Sequence, residues 1–430
     1  MKKTFSNVVI IGAGFSGLSA AATLVQNGFQ NVIILEARNR IGGRFSVETH
    51  NGHVLHMGAQ WVHGVSSSSN NSDNTTDDAN SETNSMFVLA KKYGLLDENM
   101  PRDGFGDMNH ESFELEHVYL KGGENIPEKY TEMAGQIYSK ICSDWGNFSQ
   151  FDDDQDFSID EAFKVLAEKE LETLKTDLNP KEFNYVETVL FGCFKNILVG
   201  YAGDTITNCS AKIFGVSDEL PGGDLILPTS ILDKMYLEIP CLEKILRLNH
   251  KVSKINWKND SDDKKIVIEV ENCKEVFETD FVICTFPPGV MKKYHEHIFN
   301  PRLPEEKIQA YNQICPGAIC KYFVEWNKPW RKESNTTPIM IAWDRKDLEN
   351  INLPQDWIKG CFEIVNIDPF GTLMMLWIVG DCAKAADTLE DEDVSSTLQF
   401  GLYILFKAQL FTSLMADLCQ DMIKVPVFRH

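Results

Sequence analysis

A short β-branched run that ends in three spaced glycines constrains this chain more than any other feature: NVVIIGAGFSGLSAAATLVQNGFQNVIILEA, beginning at Asn7. Val8 to Ile11 is apolar throughout, as a strand buried on both faces requires. Leu18 to Val25 has a helical pattern and Asn31 to Leu35 reads as a second strand, so the chain opens with a βαβ unit. Gly12, Gly14 and Gly17 occupy the strand-to-helix turn with GxGxxG spacing. Each meets a separate physical need: a tight turn, close approach of backbone to a pyrophosphate, and close packing of helix on strand. The helix N-terminus then faces the anion, and Glu36, ending the second strand, can accept hydrogen bonds from ribose hydroxyls. The unit is expected to bind a dinucleotide.

The chain has 430 residues, 43% of them apolar and 10% aromatic, enough for about two or three domains. A formal charge of −22 excludes the basic footprint of a nucleic-acid binder. An acidic surface suits small cationic ligands, although it serves plain solubility equally well. Eleven cysteines without a CxxC pair read as reduced core residues, which fits a cytoplasmic protein ahead of a secreted or peroxisomal one, while six N-x-S/T sequons keep secretion in play. No His/Cys cluster has ligand spacing, so no metal is expected. The apolar stretch LQFGLYILFKAQLFTSLMADL contains Gln399, Lys407 and Gln409 and reads as a buried or amphipathic helix, not a membrane span. A monomer is expected.

Residues 66–85 are polar low-complexity sequence, expected to be a disordered insertion. Residues 125 to 200 read as helices, and the acidic start FDDDQDFSIDEA reads as helix capping. From 246 the pattern returns to strands, and 303 to 314 reads as a helix. GAICKYFVEWNKPW then places Lys321 in a strand between Ile319 and Phe323. On those residues alone, Lys321 reads as a residue on the wet face of a strand ahead of a functional lysine.

The blocks that follow the βαβ unit separate the cofactors. EARNRIGGRF sets Arg38, Gly42, Gly43 and Arg44 close behind Glu36, and HMGAQWVHG follows. The first resembles the E-A-x-x-R-x-G-G-R of the flavin-containing amine oxidases, and the second resembles the G-A-x-W-[IV]-H-G of the polyamine and spermine oxidases among them. LPGGDLILPTSI, HKVSKINW, DFVICTFPPGVMK and KYFVEWNKPW are similar to further segments of that family, with Ser230 and Pro288 as departures from its pattern. The resemblance implies an α/β fold in which an FAD-binding Rossmann-like domain (1–95 and 216–300) is interleaved with an α+β substrate-binding domain (96–215 and 301–430). It implies FAD contacts from Gly58, Ala59, Gln60, Trp61 and the Val252 backbone, a water held by Lys321, and His63 at the substrate. Without the resemblance, His63 reads as a satisfied histidine in an aromatic core ahead of a substrate-site residue.

The activity so implied is oxidation of spermine or N-acetylated polyamines by molecular oxygen to an aldehyde, a shorter amine and hydrogen peroxide. Monoamines and methylated histone lysine are rival substrates, disfavoured by WVHG and by the acidic surface. Asp204, Glu219 and Asp224 are candidates for spacing a polyamine's charges, though each fits a solvated or turn carboxylate. Family members carry G-E-A-T and H-G-A-x-x-S-G blocks near their C-termini. This sequence ends DMIKVPVFRH with neither, so a chain lacking the C-terminal FAD-binding segment, and a non-catalytic paralogue or isoform, are also expected possibilities.

Overall fold

The computed structural model describes residues 5–62, 84–96, 117–145, 157–213, 225–240, 242–258, 265–314, 317–326, 329, 338–368, 371–406 and 422–423. They form two compact units. The first comprises Met1–Val62, Ser85–Pro101 and Leu225–Pro316; the second comprises His63–Asn84, Arg102–Asp224 and Gly317–His430.

Strand β1 (Asn7–Ile11), helix α1 (Phe15–Gln26) and strand β2 (Asn31–Leu35) open the first unit. β1 lies between β2 and Phe281–Cys284, and Leu246–Arg247 flanks β2, giving a four-stranded parallel sheet. Because side chains alternate along a strand, Ile10 of β1 joins Leu18, Ala21 and Ala22 of α1 in one core, whereas Val9 and Ile11 enter another on the opposite face. That second core is closed by Val252, Ile255, Ile268, Val270 and Phe277 from an antiparallel sheet built on Val252–Asn256, Ile266–Val270 and Val276–Thr279. The unit is therefore layered: helix, parallel sheet, antiparallel sheet. Burying each fully enclosed aliphatic residue, such as Ile10, Leu18 or Ile34, contributes roughly 1.5–3 kcal/mol, so the β1–α1 turn sits on well-anchored elements.

The second unit has a helical part and a sheet part. Glu128–Trp145, Ile159–Leu174, Pro180–Val189 and Lys195–Ala202 pack around Phe163, Phe191 and Phe194. Capping boxes start two of these helices, Ser158 with Glu161 and Asn179 with Glu182. Asp160 stands in the first turn of its helix, as expected of an acid that complements the helix dipole, and is in addition buried between Lys164 at 2.7 Å and Lys195 at 2.5 Å. The sheet part orders Cys361–Asn366, Leu373–Val379, Ile319–Trp326 and Met422–Ile423, all antiparallel. No helix among the described residues is long and apolar enough to cross a membrane. The helix Asp391–Phe406 takes in the front of the late apolar stretch, and the rest of that stretch, like the 66–83 part of the insertion, lies outside the described residues.

Candidate functional site

The first unit gathers the glycine motifs at one end of β1. The Gly12 N–H donates to the Leu35 carbonyl at 2.8 Å and closes the turn against β2. Gly12 holds a φ of +104°, and a Cβ there would stand 2.5 Å from Thr285 Oγ1, so both backbone and space demand glycine. A Cβ on Gly17 would lie 1.9 Å from the Gly12 carbonyl oxygen, which is the close helix-on-turn packing expected of the third glycine. Gly14 caps α1 with no side-chain hydrogen bond, and the first turn of α1 carries no acidic residue. Its terminal amides are thus available to an anion.

The second glycine pair docks directly on the first. Gly42 donates its N–H to the Ala13 carbonyl at 2.9 Å, and Gly14 and Gly42 form a parallel bridge. A Cβ on Gly43 would come within 3.1 Å of the Gly14 Cα. The two motifs, apart in sequence, are one backbone cradle that side chains would fill, a surface fitted to a diphosphate.

Glu36 is only 8% exposed and sets the edge of this cradle. Its carboxylate accepts from the Ala13 N–H at 2.7 Å through Oε2 and from the Arg38 N–H at 2.9 Å through Oε1. A carboxylate offers about four lone-pair sites, so capacity for ribose hydroxyls remains after this bracing. The Glu36 carbonyl also accepts from the His250 N–H at 2.7 Å, and the Arg38 carbonyl from the Asn249 N–H at 2.9 Å. These bonds bring the lead-in to Val252 alongside the end of β2, while the Val252 side chain itself is core.

Arg40 is the residue of this loop that sequence reading passed over. Its Nη1 lies 3.2, 3.1 and 3.3 Å from the carbonyls of Ile41, Gly43 and Phe45, so it stitches the double-glycine loop from within. Burial and the neighbouring Arg38 charge lower its pKa. Arg38 reaches the Gly43 carbonyl only at 3.5 Å, and Arg44 is exposed. The next block is tied to the same loop: the Ala59 N–H donates to the Arg44 carbonyl at 3.2 Å, the Gln60 carbonyl accepts from Leu227, and Trp61 pairs with Ile226. Gly58 leads into this run, and His63 lies outside the described residues. The two departures from the family pattern are locally sound. Ser230 has φ −71°, where no glycine is needed, and Pro288 stands at the first position of the helix Pro288–Ile298, where its missing N–H costs nothing.

In the second unit Lys321 is 7% exposed, which removes the wet-face reading. It is in register with Trp377, which in turn is opposite Glu363, so the three form one row across the sheet. Tyr322, Val324, Met374, Leu376 and Ile378 occupy the other face and enter the core. Lys321 Nζ stands 4.3 Å from the Trp377 ring centroid. Burial pushes its pKa down from 10.5 to about 7, within reach of proton exchange at physiological pH. Asp204 proves to be neither solvated nor a free turn carboxylate: it is 2% exposed, accepts from the Thr205 N–H at 2.7 Å and pairs with Lys384 at 2.8 Å. Glu219 and Asp224 lie outside the described residues.

The family profile described as flavin containing amine oxidoreductase matches residues 15–400. The bovine peroxisomal N(1)-acetyl-spermine/spermidine oxidase is 28% identical over 91% of this chain and 76% of its own length. Polyamine oxidase 2 of Arabidopsis thaliana is 25% identical over 91% of the chain and 71% of its own length. Protein anon-37Cs of Drosophila lebanonensis is 25% identical, with 78% of the chain matched to 60% of that protein. A match across most of the sequence, on a chain whose glycine cradle and buried Glu36 fit a flavin dinucleotide, decides the family. The chain belongs to the flavin-containing amine oxidoreductases, and its cofactor is FAD.

Proposed function

We propose that this chain is a polyamine oxidase: spermine or an N-acetylated polyamine loses a hydride from the carbon beside a secondary nitrogen, and hydrolysis of the resulting imine gives an aldehyde and a shorter amine. FAD, where bound, would supply the hydride-accepting chemistry, with molecular oxygen as the final electron acceptor and hydrogen peroxide as its product. The first unit is the cofactor-handling part in this reading and the second the substrate-handling part. The α1 N-terminus, Gly14 and Gly43 receive the pyrophosphate, and Glu36 receives the ribose. Arg40 keeps the loop in shape for both. In the second unit Lys321 holds or moves a proton at Nζ, and the resemblance assigns His63 a hydrogen bond to the substrate nitrogen.

The observation that carries this reading is the buried Lys321 with its pKa brought to about 7, in the strand where the resemblance puts the water-holding lysine. Support for polyamines comes from the bovine relative, named for N(1)-acetyl-spermine and spermidine, and from the Arabidopsis relative, named a polyamine oxidase. The test is peroxide release by the FAD-loaded chain offered N1-acetylspermine, spermine and benzylamine in turn. Turnover of either polyamine over benzylamine is expected. A flavin-replete protein that turns over only the monoamine, or nothing, would sink the proposal.

A further inference from the structure

One end of the antiparallel sheet in the first unit holds chemistry that the flavin reaction does not use. His250, Cys273 and Glu275 each offer a ligand atom there, and the three atoms lie within 4.8 Å of one another. Sequence spacing hides this cluster, because it is assembled by pairing of Val252–Asn256 with Ile266–Val270 and by the turn that follows. The Glu271 N–H donates to the Lys251 carbonyl at 2.8 Å, and Asn272, with φ 57°, folds the turn so that the Cys273 N–H reaches the Val270 carbonyl at 3.3 Å. The imidazole is already oriented: His250 Nδ1 sits 2.7 Å from the Leu248 carbonyl and its ring packs edge-on against Phe277. A carbonyl partner at Nδ1 selects the tautomer that leaves Nε2 with its lone pair, which is the usual outer support of a metal-ligating histidine. Two lysines adjoin the cluster in sequence: Lys251 is paired with Glu271 at 2.7 Å, and Lys274, between Cys273 and Glu275, is exposed.

We infer that His250, Cys273 and Glu275 form a binding site for one divalent ion of the zinc class. One nitrogen, one thiolate and one carboxylate suit a borderline-soft tetrahedral ion and leave a fourth position for water. Metal–ligand bonds of about 2.0–2.3 Å put tetrahedral ligand atoms roughly 3.3–3.8 Å apart. Cys273 and Glu275 are exposed and can close the remaining distance by side-chain rotation. The cysteine gives up its proton to solvent as the bond to the ion forms. Since the His250 N–H holds the Glu36 carbonyl, an ion here braces the segment beside the dinucleotide cradle.

The test is titration of the purified, reduced, FAD-loaded chain with cobalt(II), read as a difference spectrum at the thiolate-to-cobalt charge-transfer band, together with zinc-dependent thermal unfolding. One equivalent of cobalt should give the band, Cys273→Ser should remove it, and Glu275→Gln should weaken binding by about tenfold or more. Zinc should raise the unfolding temperature of the natural chain and leave that of Cys273→Ser unmoved. Cys273 is exposed, so the serine variant keeps the fold. A band that survives Cys273→Ser, or no band and no zinc-dependent shift in the natural chain, would overturn the assignment.

Discussion

Lys321 carries a stability cost whose pH dependence can be worked from its surroundings. An unfolded lysine titrates near 10.5, and burial brings the folded one to about 7. At about 1.36 kcal/mol per pKa unit, that is a burden of roughly 5 kcal/mol on the protonated folded state. The Trp377 indole, 4.3 Å from Nζ, works the other way, so roughly 5 kcal/mol is an upper figure. The sign follows from proton counting. Between the two pKa values the unfolded state binds more protons than the folded state, so stability rises with pH from about 7 towards 10.5. The cost is present in full below about 7 and absent above 10.5. Lys321→Met deletes the titration while keeping an unbranched side chain one atom shorter. Its urea midpoint, followed by tryptophan fluorescence, should therefore gain on the natural chain at pH 6.5 by more than at pH 10. Taking the difference between two pH values cancels the pH-independent change in packing. An equal shift at both, or a larger gain at pH 10, would show that burial does not control this lysine.

Other substitutions probe the cradle and the buried acids. Gly17→Ala forces a methyl onto the Gly12 carbonyl and should yield a folded but colourless protein after FAD reconstitution, read by visible absorbance. Glu36→Ala leaves the Ala13 and Arg38 amides unsatisfied at about 1–3 kcal/mol each, so both thermal stability and flavin affinity should fall, with Glu36→Gln intermediate because it keeps one acceptor oxygen. Arg40→Met removes the donor shared by three carbonyls and should weaken FAD binding measured by fluorescence quenching, although Arg40 is itself only a positioning residue. Asp204→Asn breaks its pair with a Lys384 side chain that is 43% exposed, so a modest loss of about 1–2 kcal/mol is expected in denaturant titration.

What the sequence disclosed, and what it withheld, follows the range of the forces involved. The opening βαβ unit was legible because buried parallel strands need uninterrupted apolar runs and the turn needs glycines at set intervals, both local demands; β2 spans the expected Asn31–Leu35. The hairpin of Val47–His50 with His53–His56 was not read, although its Asn51–Gly52 turn, with φ of 47° and 84°, is a strong local signal. Strand Cys361–Asn366 was missed for a different reason. Its alternation is broken by a bulge beside Glu363, which only the partner strand reveals. Arg40 was legible but passed over: it stands at the fixed arginine of E-A-x-x-R-x-G-G-R, where Arg38 falls on a variable position. What the motif does not disclose is its role: three carbonyls converge on it, a fact of loop closure and not of residue type.

Lys321 shows the same limit from the other side. Alternation correctly put it opposite Tyr322 and Val324, but alternation cannot say whether the face it occupies is wet. Burial is a long-range property, set by what covers a strand, so the pKa that makes this lysine chemically useful is invisible to any local pattern. The His250, Cys273 and Glu275 cluster belongs to that class as well: each residue is unremarkable in its own segment, and only strand register makes three donors into a possible ligand set.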